Sequence, residues 1–157
     1  MQKVLSALGF IAILSACGPE PDFYTRQGTA IVTGGVEEIT EMLMWNSLEF
    51  YALSLPRFIP EITYDSIMDM LSYAWIEWFP EPIECSHGSC AGLQQGNIAW
   101  VHWKGSIPDS ALFHELIHMT MEIDFGIWDY RHEHKEFWDV EKPLKNMYRG
   151  LPINSPE

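Results

Sequence analysis

The feature that most constrains this chain is a short histidine motif in its C-terminal half. The segment 111–120 reads A-L-F-H-E-L-I-H-M-T and contains H-E-x-x-H at His114, Glu115 and His118. On an α-helix, residues i and i+4 share a face, so the two imidazoles can bind one metal ion. Glu115 follows His114 directly and can hold a water molecule beside that ion. The motif therefore predicts a metal-binding helix.

The residues around the motif favour the same interpretation. The apolar run Ala111–Phe113 precedes it, and the uncharged residues Leu116 and Ile117 lie between the two histidines. A half-buried active-site helix needs such a context. The alternative is a core helix that carries two incidental histidines. We favour the metal site.

The N-terminal residues indicate export. Met1–Lys3 is short and positively charged, and Val4–Leu14 is an apolar run shorter than the ~20 residues of a bilayer span. The sequence L-S-A-C at 14–17, followed by Gly18, resembles a bacterial lipoprotein signal with its lipobox. The resemblance implies cleavage before Cys17, attachment of diacylglycerol to its sulfur and acylation of the new amine, for example with palmitate. The alternative is an ordinary secretory signal.

These features divide the chain into three parts. We expect a signal peptide at 1–16, a lipidated tether at 17–28 and one domain at 29–157. Cleavage would leave about 140 residues, enough for a single domain with its own core. The predicted location is the bacterial cell envelope, with a lipid anchor. Gly18 after the cysteine favours the outer membrane if the cell has two membranes.

The charge of the chain limits its partners. Its 22 acidic residues outnumber its 9 lysines and arginines, for a net charge of −13. Such a chain lacks the basic patch that neutralises phosphates, so we expect no nucleic-acid binding. Charge also disfavours binding to anionic lipids, and we expect the membrane contact to be made by the lipid on Cys17.

Apolar spacing and turn residues predict an α+β arrangement with three or four strands. The predicted helices are Val36–Leu55, Thr63–Ser72 and a last one over Val140–Tyr148, and the predicted strands are Ala74–Phe79 and Ile98–Lys104. We expect Ser106 to cap the start of the motif helix and Gly126 to follow its end.

Two cysteines remain if lipid modifies Cys17. Cys85 and Cys90 lie on either side of a short glycine-containing loop, and an exported protein meets an oxidising compartment. We therefore predict a Cys85–Cys90 disulfide. The alternative is a metal site made of Cys85, His87 and Cys90, which lacks a recognisable fourth ligand.

A strand that leads by a short loop into an H-E-x-x-H helix resembles the zincin metallopeptidases. The resemblance covers about 63–144 and implies a small zincin-like domain, in which a short mixed sheet packs on the motif helix and on flanking helices. It also implies zinc as cofactor, Glu115 as general base, and peptides or proteins as substrates. The metzincin continuation is absent, because Met121 and Asp124 occupy its glycine and third-histidine positions.

A catalytic zinc site usually has three protein ligands, so a third must lie beyond the helix. A histidine shortly before Phe137-Trp138 resembles the arrangement in SprT-type domains. We favour His132, because Asp129 precedes it in a D-x-x-H pattern that can supply a supporting carboxylate. His134 is the alternative. The other options are carboxylate ligands from Glu122, Asp124, Glu133 or Glu136, whereas we expect His87 and His102 to be surface or cleft residues.

The expected function is that of a membrane-anchored zinc metallopeptidase. One alternative is a metal-binding envelope lipoprotein without catalysis, which acts as a binding or scaffolding module. Another is a hydrolase of peptidoglycan peptides. The intact Glu115 favours an enzyme, because a pure binding site needs only the histidines. Tyr130, Tyr148 and His102 are candidate oxyanion donors, and the sequence specifies none of them.

Overall fold

The computed structural model describes residues 18–86, 88–129 and 131–151. The predicted signal peptide, the predicted lipidation site Cys17 and the residues His87 and Tyr130 lie outside this part of the chain. None of the helices in the described residues combines the length and the hydrophobicity needed to cross a bilayer.

The described residues form a mixed α+β structure. Its strands are β1 (Phe23–Tyr24), β2 (Ala30–Val32), β3 (Trp75–Phe79), β4 (Ile83–Cys85), β5 (Gly88–Cys90), β6 (Gly92–Gln95) and β7 (Ile98–His102). Its α-helices are α1 (Glu41–Ser54), α2 (Tyr64–Ser72), α3 (Leu112–Phe125), α4 (Lys135–Trp138) and α5 (Glu141–Arg149). The predicted α+β class is thus confirmed.

The main sheet has five strands in the order β1-β2-β3-β7-β6. The three central strands are parallel, and each edge strand is antiparallel to its neighbour. The prediction of three or four strands was too low because it missed β1, β2 and β6, which are 2, 3 and 4 residues long. An alternation of apolar and polar residues cannot be recognised over so few positions.

Part of the segment predicted to be a tether lies in this sheet. In β1, Phe23 pairs with Ile31 and Tyr24 pairs with Ala30. Just before β1, the Asp22 carboxylate accepts hydrogen bonds from the Thr33 N–H at 2.7 Å and from the Thr33 hydroxyl at 2.9 Å. The fold therefore begins before residue 29, and its first strand depends on a partner strand that local composition does not reveal.

Capping side chains decide where the first helices begin. Helix α1 starts at Glu41 rather than Val36, because the Thr40 side chain accepts the Leu43 N–H at 3.2 Å. Helix α2 starts after Thr63, whose hydroxyl accepts the Ser66 N–H in a capping box. The helix predicted over Thr63–Ser72 thus agrees with α2.

The motif helix α3 is shifted relative to its predicted start. Ser106 caps a separate turn, in which its hydroxyl accepts the Asp109 N–H at 3.3 Å, and α3 begins only at Leu112. Its end agrees with the prediction, since Gly126 follows it in the left-handed conformation with φ 65°. The fully buried residues Leu112, Leu116 and Met119 join α3 to a core that includes Trp78 of β3 and Val101 of β7.

Candidate metal centre

Three histidine side chains converge beside helix α3. One nitrogen from each of His114, His118 and His132 lies within 4.8 Å of the others. His118 Nε2 and His132 Nε2 are 3.2 Å apart. Nitrogens this close can share one ion, and three histidines are a ligand set that catalytic zinc sites use.

Helix α3 positions the first two histidines. The rings of His114 and His118 are half-buried, and their centroids lie 4.9 Å apart, as expected for residues one turn apart. The neighbouring residues Phe113 and Ile117 are fully buried in the core. Because these buried side chains fix how α3 is rotated about its axis, they also fix the direction in which the histidine pair faces.

A short loop after α3 supplies the third histidine. His132 has a positive φ of 55°, which non-glycine residues seldom adopt. The carboxylate of Asp129 organises this loop, as it accepts the backbone N–H of Glu133 at 2.9 Å and that of His134 at 2.8 Å. Burial raises the pKa of Asp129, but these hydrogen bonds outweigh it and hold the pKa well below its usual range.

Trp138 closes one side of the cluster. Its ring centroid lies 4.9 Å from His114, 4.5 Å from His118 and 4.2 Å from His132. The indole N–H donates to Asp129 Oδ2 at 2.9 Å. One residue thus joins the carboxylate of the loop to the rings of all three histidines.

Glu141 was not among the residues singled out from the sequence. Its Oε2 lies 3.1 Å from His114 Nδ1, and its Oε1 lies 2.7 Å from Lys145 Nζ. Burial raises the pKa of Glu141, but the bonds with His114 and Lys145 outweigh it and lower the pKa to about 2. A carboxylate on Nδ1 leaves Nε2 of His114 available to a metal. No local pattern links the two, because they meet only through the packing of α5 on α3.

The other two imidazoles are poised in their neutral form. Burial lowers the pKa of His118 to about 4, and the charges of His114 and His132 act in the same direction. Burial, followed by the charge of His114, also lowers the pKa of His132. Neutral imidazole is the form that binds a metal, so little proton release need accompany binding at neutral pH.

Glu115 lies deeper than the histidines. Its side chain is 3% exposed, and burial raises its pKa to about 7. The backbone of β6 approaches it so closely at Gly92 that a Cβ atom there would overlap the carboxylate. His114 and Glu115 line a cavity of about 250 Å³ together with residues of β6, α5 and the start of α3. The Glu115 carboxylate and one member of the histidine cluster, His114, therefore adjoin a common space.

The remaining predicted site residues lie elsewhere. His134 Nδ1 pairs with Glu136 Oε1 at 3.1 Å, and neither belongs to the cluster. Glu122 accepts a hydrogen bond from the Gln94 side chain at 2.7 Å. Among the described residues, the structure thus brings His132 to the motif histidines and brings neither His134 nor a carboxylate ligand.

One oxyanion candidate belongs to the core. The Tyr148 hydroxyl is buried and lies 2.8 Å from Ser47 Oγ. Its ring packs against Phe113 at a centroid distance of 5.3 Å, on the core side of α3. Tyr148 therefore does not face the histidine cluster.

The predicted disulfide between Cys85 and Cys90 is confirmed. It joins β4 to β5, which form a separate two-stranded sheet. Because the sulfurs are bonded to each other, they are not available as thiolate ligands, and the alternative cysteine metal site is not formed.

Comparison with protein-family models, with curated proteins and with solved structures finds no match for this chain. Its function must therefore be inferred from the chemistry of its own residues.

Proposed function

We propose that this chain is a zinc-dependent metallopeptidase with a zincin-like site, anchored to the bacterial envelope by lipid on Cys17. The observation that carries the proposal is the convergence of three imidazoles, of which His118 and His132 have lowered pKa values, beside a buried carboxylate whose pKa is raised to about 7. A binding module needs the histidines alone. A buried acid next to a cluster of histidines lowers the stability of the fold, and it is typical of sites where protons are transferred.

The donor set fits zinc. Three imidazole nitrogens suit a borderline-soft ion that prefers tetrahedral sites, and three protein ligands leave one position open. Glu141 at His114 Nδ1 is the kind of supporting carboxylate that orients histidine ligands. Zinc bound here would lower the pKa of water to ~7 and polarise a peptide carbonyl.

The residues of the chain would then divide the work of hydrolysis. Glu115 takes a proton from the attacking water as the water oxygen bonds to the carbonyl carbon. The same carboxylic acid returns that proton to the amide nitrogen as the C–N bond breaks. A pKa of about 7 suits both steps. Gly92 leaves room for the carboxylate, and Trp138 packs against one side of the cluster.

The first test is the effect of Glu115→Gln on zinc content and on peptide cleavage by the full chain purified in detergent. We expect about one zinc per chain in both proteins and loss of cleavage by at least about a hundredfold in the variant, since general acid–base catalysis contributes ~10²–10⁴-fold. Glu133→Gln is the matched control, because Glu133 is exposed and outside the cluster.

The result separates the enzyme from the alternatives. If the Glu115→Gln variant still cleaves peptides, Glu115 is not the general base. Zinc binding without cleavage of protein or peptidoglycan peptides by the native chain would favour a binding module. Incorporation of labelled palmitate by the native chain, lost in Cys17→Ser, tests the anchor separately.

A further inference from the structure

The two faces of the five-stranded sheet have different surroundings. On one face, Ile76 and Trp78 of β3 and Ala99 and Val101 of β7 are fully buried in the core with helix residues such as Leu116. Successive side chains of a strand point to opposite faces. The alternate residues of β3 and β7 therefore belong to the second face, and each of them is only half-buried.

The strand pairing collects large apolar side chains on this second face. Residues paired across neighbouring strands share a face. Tyr24 pairs with Ala30, and Ala30 pairs with Trp75. At the other edge, Leu93 pairs with Trp100. Tyr24 is 60% exposed and Leu93 is 38% exposed. We call this surface the open face; its large apolar residues are Tyr24, Trp75, Phe79, Leu93, Ile98 and Trp100.

The open face carries little charge. Among its described strand positions, Glu77 is the one carboxylate, and lysine and arginine are absent. Glu77 Oε2 accepts the Trp100 indole N–H at 3.1 Å. The whole chain, in contrast, has a net charge of −13. An aromatic surface with so few charges suits a partner that is apolar or zwitterionic, and tryptophan and tyrosine are the residues enriched where a bilayer meets water.

The size of the open face argues against a second copy of the chain as its partner. Five strands at ~4.8 Å spacing and about five residues in length give a surface of about 300 Å² in projection. A stable protein complex buries about 800 Å² on each partner. The open face alone therefore falls short of a stable dimer interface.

The segment before the sheet limits how far this surface can lie from a membrane. Asp22 is fixed to the sheet by its two hydrogen bonds with Thr33. Cys17 lies five residues earlier, and five extended residues span at most about 18 Å. Pro19 and Pro21 in between favour a semi-rigid connection. A lipid on Cys17 would therefore hold the edge strand β1 close to the bilayer surface.

The two surfaces that adjoin β1 differ in polarity. On the helical side, the Arg26 guanidinium lies 4.1 Å from the centroid of the Trp45 ring. On the same side, Gln27 Nε2 lies 3.4 Å from Glu49 Oε2. Charged groups such as Arg26 and Glu49 favour water. The open face is thus the apolar surface that the short connection brings to the membrane.

We propose that the open face of the sheet lies on the zwitterionic interface of the bilayer, with Trp75 and Trp100 among the lipid headgroups. The inference rests on the lipid anchor of the proposed function and does not depend on the peptidase activity. Helix α3 lies on the core side of the sheet. In this orientation the candidate metal centre is therefore on the side of the sheet away from the bilayer, and its substrates come from the aqueous compartment.

The test locates the tryptophans of the full chain relative to the lipid. The native lipidated chain is purified in detergent and reconstituted in phosphatidylcholine vesicles with plain or brominated acyl chains, since bromine quenches tryptophan at short range. We expect partial quenching, because two of the 7 tryptophans lie on the open face. The double variant Trp75→Phe, Trp100→Phe should lose at least half of this quenching. Trp45→Phe, which changes a half-buried tryptophan on α1, should retain it.

A second pair of variants tests the contact itself. Tyr24→Asp and Leu93→Asp each place a charge at one edge of the open face, at exposed positions where the fold should tolerate it. Each should lose most of the quenching while the chain still floats with the vesicles through its lipid. Met42→Asp is the matched control, because Met42 is 58% exposed and lies on α1. It should retain the quenching, and circular dichroism checks the fold of every variant.

Three results would overturn the proposal: a native chain that floats with the vesicles without quenching, quenching that survives the double tryptophan variant, or quenching that neither aspartate variant reduces. The first result would leave the open face to another protein or to a second copy. Failure of the lipid anchor looks different. In that case the chain incorporates no labelled palmitate and does not float, and the docking proposal falls with the anchor. Failure of the peptidase activity alone would leave the quenching unchanged.

Discussion

The three clustered histidines come from two regions that are held in different ways. Helix α3 carries His114 and His118, and its other side is buried in the core through fully enclosed residues such as Leu116. The loop after α3 carries His132, which is exposed and has a left-handed backbone. The helix needs no particular contact to keep its two histidines together, whereas the loop depends on Asp129 and Trp138.

The difference shows how a site can combine a rigid half with an adjustable one. Helical geometry places two imidazoles on one face as soon as α3 forms. The position of His132 depends instead on hydrogen bonds from Glu133, His134 and Trp138 to one carboxylate. The two halves should therefore respond differently to substitutions.

The largest effect is expected from removing a helix histidine. His118→Ala leaves a single imidazole on the α3 face. Zinc affinity should fall by more than about 100-fold, because loss of a residue that only supports a metal ligand already lowers the affinity by about 10–100-fold. The measurement is zinc content after dialysis against a weak chelator. His102→Ala, which changes a histidine on β7 outside the cluster, should keep the metal. Zinc retained by His118→Ala would contradict the assigned ligands.

The next effect tests whether Asp129 acts through His132. Asp129→Ala removes the acceptor of three loop hydrogen bonds, and zinc affinity should fall by about 10–100-fold. In a His132→Ala background the same change should add little, since the loop then has no ligand to position. Competition titration with a chelating dye measures both. Asp139→Ala, an exposed aspartate at the end of α4, is the control. Additive losses would show that Asp129 does not work through His132.

A smaller effect is expected from the carboxylate that contacts the rigid half. Glu141→Gln keeps an oxygen that can accept the His114 Nδ1 proton, and α3 already holds the ring. Zinc affinity should fall by no more than about tenfold, which is the smallest loss expected when a residue that supports a metal ligand is changed. Glu136→Gln, which alters the pair with His134, should leave zinc affinity unchanged. A larger loss for Glu141→Gln than for Asp129→Ala would reverse the comparison of the two halves.

The smallest effect concerns pH. Folding lowers the pKa of Asp129 below its ordinary value of 3.8, so its ionised form stabilises the fold above about pH 4. This contribution should shrink as the pH falls below that value, because the unfolded chain then binds a proton that the folded carboxylate binds only at still lower pH. The urea midpoint, measured with a chelator present, should therefore differ between native protein and Asp129→Asn at pH 7. The difference should narrow at pH 3. A constant difference would mean that the charge of Asp129 is unimportant.

Local patterns in the sequence predicted some parts of the fold well. The helix at Thr63–Ser72, the end of the motif helix before Gly126 and the Cys85–Cys90 disulfide depend on neighbouring residues, and these predictions agree with the structure. The predicted start of α3 was wrong, because Ser106 can cap an isolated turn as well as a long helix. Strands such as β2 were missed because they exist only through their partners.

The sequence by itself determined the motif pair and the acid beside it, because the 3.6-residue period of a helix is a local property. Tertiary structure decided the rest of the candidate site. It brought His132 rather than His134 to the pair, placed Glu141 beside His114 and packed Trp138 against all three rings. It also packed Gly92 against Glu115. These contacts join residues far apart in the chain, and their geometry depends on how α3, α5, β6 and the loop after α3 pack together.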